Sequence, residues 1–93
     1  IVKVEDDIYH ISGRVLLDTL EEEFGIEFEE SEDIDTIGGW LQSIDPNIQA
    51  NSYVNTKNDK WIVLDVENHT INKVAFLRNY NRIETDDVEI EEE

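Results

Sequence analysis

Trp61-Ile62-Val63-Leu64-Asp65-Val66-Glu67-Asn68-His69-Thr70-Ile71-Asn72-Lys73-Val74-Ala75-Phe76-Leu77 is the stretch that decides the fold of this 93-residue chain. Both arms are rich in β-branched and aromatic residues, which suit a pleated, half-buried surface. Asn68-His69 separates them, and Asn tolerates positive φ, so the spacing predicts a two-residue hairpin between a strand at Lys60–Glu67 and one at Thr70–Arg78. Period-two alternation puts Ile62, Leu64 and Val66 on one face of the first strand, and Val74 and Phe76 on one face of the second. Those faces are expected to meet helices.

Upstream of the hairpin, Ser52 to Thr56 reads as a short strand and Lys57-Asn58-Asp59 as its turn. Ile34, Ile37, Leu41 and Ile44 recur at three and four residues, one face of a helix that begins near Thr36, with Asp33 or Asp35 as its cap, and closes before Pro46. Gly38-Gly39 inside that helix costs about 1 kcal/mol per glycine relative to alanine, so the pair points to backbone packed closely against the sheet. Ile26 to Asp35 is an acidic connector. Before it, Leu16, Leu17, Leu20 and Phe24 mark a helix from Leu17 to Phe24, ended by a left-handed Gly25. Glu21-Glu22-Glu23 lies in its last turn, where the macrodipole disfavours negative charge, so a buried Leu/Phe face must hold it. Ile8-Tyr9-His10-Ile11 is a strand and Ser12-Gly13 a turn. The order β-α-α-β-β-β predicts an α+β fold, an antiparallel sheet with two helices packed on one face.

The chain carries 24 acids and 7 bases, a net charge of −17. Phosphate contacts need clustered Lys and Arg, so nucleic acid is excluded as a partner, and anionic lipid likewise. Without cysteine there is no disulfide framework, thiolate nucleophile or Cys-ligated metal. The apolar runs are too short for a membrane span or a signal-peptide core, so no direct membrane insertion is expected. Charge is uneven: residues 1–35 hold thirteen acids and two bases, 36–83 four acids and five bases, and 84–93 seven acids and no base. One folded unit is expected over 8–78, with a linker from an upstream domain at 1–7 and an acidic tail at 79–93. In the tail, alternating Val88 and Ile90 leave room for an added strand. A unit of this size buries roughly 60–65% of its unfolded surface and should be modestly stable. The chain has no Met and begins with Ile1, from which a domain of a longer protein is expected.

No catalytic constellation emerges. Asp33-Ile34-Asp35-Thr36-Ile37-Gly38 begins like a calcium loop, but Ile37 stands at the fifth position and Ile44 at the twelfth, where a bidentate Glu is needed; a helix cap explains the acids better. His10 and His69 lack a paired metal spacing. Ser12, Ser31, Ser43 and Ser52 lack a nucleophile elbow, and no glycine loop suits a phosphate. Arg14, the sole base between Lys3 and Lys57, is expected to pair with a nearby acid, the rival being an anionic ligand. Asn68-His69-Thr70 matches a glycosylation triplet by chance. Trp40 and Trp61 are expected in the core, the rival being an aromatic docking surface. No catalytic or metal-ligating residue and no cofactor-binding residue is assigned.

The whole pattern resembles the transporter-associated domain of the CorC/HlyC family. Ile8-Tyr9-His10-Ile11-Ser12-Gly13-Arg14 resembles its strand-then-Gly-Arg opening, and Leu20 to Phe24-Gly25-Ile26 its leucine-rich helix followed by Gly. Asp35-Thr36-Ile37-Gly38-Gly39-Trp40-Leu41 is similar to its Asp/Thr-x-x-Gly helix start. Trp61 to Val66, the Asn68-His69 turn and Ile71-Asn72-Lys73-Val74 resemble its closing hairpin. The similarity covers about residues 6–78. The chain departs at Ser43-Ile44-Asp45-Pro46 and Asn47 to Asn51, where the family's glycine turn is missing, so the loop at 45–52 is expected to differ in shape. The helix-start Ser or Thr before Asp18 is missing too.

The resemblance implies a cytoplasmic regulatory or interaction module, not an enzyme. It implies CBS-type and transmembrane domains of the parent chain as partners, homodimerisation as a further option, and a parent in the cell membrane linked to magnesium and cobalt efflux or called hemolysin-like. The fold also resembles the FAD-binding subdomain of PCMH-type flavin oxidases, which makes flavin or adenine nucleotide binding an alternative by fold analogy alone. A third option is divalent-cation sensing by the acidic segments at 21–35 and 84–93.

Overall fold

The computed structural model describes residues 1–80. Seven elements run in the order β1 (Val2–Glu5), β2 (Ile8–Ser12), α1 (Leu17–Phe24), α2 (Ile37–Ile44), β3 (Tyr53–Asn55), β4 (Lys60–Glu67) and β5 (Thr70–Leu77). The strands form one antiparallel sheet in the order β1-β2-β5-β4-β3, and both helices lie on one face, as an α+β domain. β4 and β5 make the predicted hairpin, pairing Trp61 with Phe76, Ile62 with Ala75 and Val63 with Val74. Asn68 and His69 take φ of 53° and 64°, the left-handed pair whose twist matches the flanking strands. On its other side β5 pairs with β2, Ile8 against Leu77 through Ser12 against Lys73, so the central strand joins the two ends of the fold.

Val2–Glu5, expected to be linker, is the edge strand of the sheet. All four of its residues are exposed, so no buried face announces it in the sequence. The face assignment on β4 is also corrected. Trp61 and Val63 are buried at 1% and 0% exposure, and Ile62 and Leu64 are only half-buried. The sequence shows apolar residues at five of the six positions from 61 to 66 and gives alternation little to separate. A register irregularity at Asp65↔Lys73 then advances both strands. The core pair after Val63↔Val74 is Val66↔Ile71, three residues on instead of two or four. Val66 therefore packs against the core as expected, out of phase with Ile62 and Leu64. Val74 and Phe76 face the core at 0% exposure.

Helix α1 has no side-chain cap at Leu16. It ends at Gly25, whose φ of 66° is left-handed and whose N–H donates to Glu21 O at 2.8 Å. Its buried face is Leu17, Leu20 and Phe24. Helix α2 is capped by Thr36 rather than Asp33 or Asp35: Thr36 Oγ1 accepts the Gly39 N–H at 3.2 Å. Ile37 and Leu41 are fully buried, but Ile44, assigned to the same face, is 48% exposed. The helix stops at Ile44, and Trp40 fills the inward position one turn earlier. Rings link the layers: Tyr9–Phe24 at 4.8 Å between centroids, Phe24–Phe76 at 4.8 Å, Phe76–Trp61 stacked at 4.2 Å, Trp61–Phe28 at 5.7 Å and Phe28–Trp40 at 4.9 Å. Phe28, from the acidic connector, is a core residue at 8% exposure.

Gly13 and Gly38 let three backbones touch. The Gly38 N–H donates to Gly13 O at 2.9 Å, Gly13 N–H to Asn72 O at 2.9 Å, Ile37 N–H to Val15 O at 3.0 Å and Leu17 N–H to Asp35 O at 2.8 Å. A Cβ on Gly13 would lie 2.0 Å from Ile71 O, and one on Gly38 would lie 2.9 Å from Gly13 O. The close approach read from Gly38-Gly39 is therefore real at Gly38, and it meets both β5 and the end of β2.

In the loop at 45–52, Asn51 supplies the left-handed residue with φ 76°, and its N–H donates to Val63 O at 2.7 Å. After β5, Asn79 turns at φ 61° and its N–H donates to Asp59 Oδ1 at 2.7 Å. Residues 79 and 80 are thus tied to the domain. The acidic tail from 81 onward, with the strand option at Val88 and Ile90, lies outside the described residues.

Two outcomes follow for stability. Gly13→Ala should cost about 3 kcal/mol or more, because backbone must move. Gly38→Ala should also destabilise, but less, since alanine returns about 1 kcal/mol of helix propensity; urea unfolding midpoints at unchanged m-value give the order. The described residues include 17 acids and six bases, yet the one ion pair in which both partners are described is the exposed Lys3–Asp6 contact at 3.5 Å. Mutual repulsion therefore opposes folding. Raising NaCl from about 0.01 to about 0.5 M should raise Tm by screening it.

Candidate functional site

Ile26 and Phe28 point inward from the connector and Glu27 and Glu29 outward, an extended alternation that follows directly on the Gly25 turn. Three bonds hold this segment. The Phe28 N–H donates to Glu21 Oε2 at 3.2 Å, Ser31 Oγ–H to Phe28 O at 3.1 Å, and Trp40 Nε1–H to Glu29 O at 2.9 Å. The segment forms one bank of an open groove of about 1000 Å³, whose other bank is Val54 to Asp59. Trp40 and Ile44 of α2 lie between the banks.

The far bank is organised by Asp59, which is 7% exposed. Its carbonyl accepts the Thr56 N–H at 2.9 Å and Thr56 Oγ1–H at 3.3 Å, and its carboxylate holds the chain after β5 through Asn79. The sequence marks Asp59 as a turn residue but gives no signal that it anchors residue 79, twenty positions on. Among the described residues that line the groove, Lys57 is the single base, and Glu27, Glu29 and Glu30 are exposed acids. Among the described residues, the groove joins the apolar side chains of Phe28, Trp40, Ile44 and Val54 to the exposed carboxylates of Glu27, Glu29 and Glu30. A smaller cavity of about 260 Å³ lies between Gln42, the loop at 46–49, Val66 and His69; there the Gln42 side-chain amide donates to His69 O.

The sequence candidates do not converge. His10 sits on β2 opposite Ala75, and His69 forms the hairpin turn. Among the described residues no group of three His, Cys, Asp or Glu is placed to hold a metal ion. The serines serve local backbone: Ser12 Oγ accepts the Arg14 N–H at 3.2 Å, Ser43 Oγ–H donates to Trp40 O at 2.6 Å and Ser52 Oγ accepts the Gln49 N–H at 3.2 Å. Arg14 is exposed and, against expectation, makes no ion pair among the described residues. Its neighbours along the chain are Gly13 and Val15. Trp40 and Trp61 are 5% and 1% exposed, so core packing replaces the aromatic-surface alternative, with Trp40 also backing the groove. The residues at the start of α2 do not fit a pyrophosphate. The N–H groups of Ile37, Gly38 and Gly39 are taken by Val15 O, Gly13 O and Thr36 Oγ1, and the surrounding charge is negative. No helix among the described residues is long and apolar enough to cross a membrane.

The fold has close counterparts among solved structures. A hemolysin domain from Enterococcus faecalis V583 is 24% identical, with 83% of this chain and 94% of that one covered and a TM-score of 0.75. A CorC_HlyC domain from Haemophilus ducreyi is 20% identical over 83% and 94% of the two chains, with a TM-score of 0.70. The CorC_HlyC transporter-associated domain of a Xylella fastidiosa Temecula1 hemolysin, solved in complex with Mg²⁺ and Mn²⁺, is 20% identical over 84% and 94%, with a TM-score of 0.70. No curated protein matches the chain. The family profile described as the transporter-associated domain matches residues 2–79, which begins within β1 and ends just after β5. The chain belongs to the CorC_HlyC family of transporter-associated domains.

Proposed function

We propose that this domain is a non-catalytic regulatory and interaction module of an ion-transport-associated protein, of the magnesium and cobalt efflux or hemolysin-like kind. Its partners would be CBS-type and transmembrane domains of the parent chain or a second copy of itself, and its place the cytoplasmic side of the parent's membrane. The observation that carries this reading is the groove between the connector and the β3–β4 turn, with Ile44 48% exposed on its floor. Apolar area rimmed by charge is how docking surfaces are built. Family membership supplies the transporter context. Replacing residues 2–79 in the parent by a flexible linker of equal length should change metal efflux or assembly several-fold, measured as cellular metal content and by size-exclusion chromatography; unchanged values in both would overturn the reading.

A second reading, divalent-cation sensing by the acidic segments, is favoured by the Mg²⁺ and Mn²⁺ complex of the Xylella fastidiosa relative. Calorimetric titration with MgCl2 and MnCl2 at about 0.15 M NaCl separates a bound ion from charge screening. A saturable heat supports sensing, and heat of dilution alone removes it.

A further inference from the structure

We propose that the groove receives a positively charged segment of a partner polypeptide, which seats an apolar side chain against Ile44 and Trp40 between flanking Lys or Arg residues. This deepens, and rests on, the reading of the domain as an interaction module. The floor calls for the apolar side chain: Ile44 is 48% exposed, and Phe28, Trp40 and Val54 back it. The rim calls for cations. Among the described residues, Glu27, Glu29 and Glu30 are exposed and in no ion pair, and Lys57 is the one base lining the groove. The charge of the chain, −17, draws cationic partners in from a distance and repels anionic ones.

A spaced set of charges fits this rim better than a single ion does. Among the described residues no three carboxylates or imidazoles are close enough together to hold a metal, whereas successive basic residues of an extended segment can face carboxylates that are spread along a bank. The banks are fixed before the partner arrives. Trp40 Nε1–H is bonded to Glu29 O, the Phe28 and Trp40 rings lie 4.9 Å apart, and Asp59 is bonded to Asn79. Little ordering is then left to oppose binding.

The test titrates the full chain with a synthetic Lys/Arg-rich peptide carrying one central Leu, at about 0.15 M NaCl, reading tryptophan fluorescence and backbone amide shifts. The expected result is saturable binding with shifts at residues 26–30 and 54–59. Ile44→Asp, and separately a Gly in place of the peptide's Leu, should each weaken binding about tenfold. Glu27→Gln, Glu29→Gln and Glu30→Gln together should weaken it and flatten its salt dependence. These carboxylates are exposed, so this variant tests the site even if Ile44→Asp disturbs the helix end. Equal binding of the Leu and Gly peptides, affinity unchanged in both variants, or shifts spread over all the acidic surface would overturn the proposal. Absence of peptide binding alongside altered transport on domain replacement would sink this occupant and leave the interaction reading standing. Unchanged transport and assembly on replacement would sink the reading beneath it.

Discussion

The meeting of three backbones at Gly13, Gly38 and Ile71 is the contact on which the rest of the molecule depends. Helix α2 carries no charged side chain. It lies directly on the chain, with the Gly38 N–H bonded to Gly13 O and a Cβ at Gly13 excluded by Ile71 O. The first amides of the helix are satisfied there and by Thr36, so the helix start is a structural joint and is closed to an anion. Packing at this distance also fixes the helix rotation. Ile37 and Leu41 go into the core, Trp40 turns toward the connector and Ile44 is left at the edge. The groove is a consequence of that rotation.

A second constraint is electrostatic. A chain with this excess of acid and one exposed ion pair among its described residues cannot be held by its charges. Apolar contact must supply the stability, and the aromatic series from Tyr9 to Trp40 crosses every layer of the domain. Phe28 shows how an acidic segment is recruited into it. Its glutamates stay in water, its ring sits between Trp61 and Trp40, and its neighbour's carbonyl takes the indole N–H. The connector is thereby both part of the core and the acidic bank of the groove.

The relatives share this architecture at 20–24% identity. What a likeness at this level carries is the fold itself, the five-stranded antiparallel sheet with its two helices.

The sequence by itself determined the hairpin, both helices, the Gly25 stop, the close approach at Gly38 and the family, because each rests on local pattern: Asn-His between β-rich arms, apolar residues at helical spacing, glycine where a Cβ has no room. It could not determine that Val2–Glu5 is a strand, since an exposed edge strand buries nothing and leaves no pattern. It misassigned Ile62 and Leu64, because an apolar run is compatible with either face and the irregularity at Asp65 is set by pairing with β5. It placed Ile44 in the core by spacing alone. Only the tertiary structure could decide that the helix ends at the margin of the sheet, that Asp59 secures residue 79, and that the connector and the β3–β4 turn face one another across a groove. Those are relations between segments distant in the chain, fixed by how the layers pack, and no local spacing encodes them.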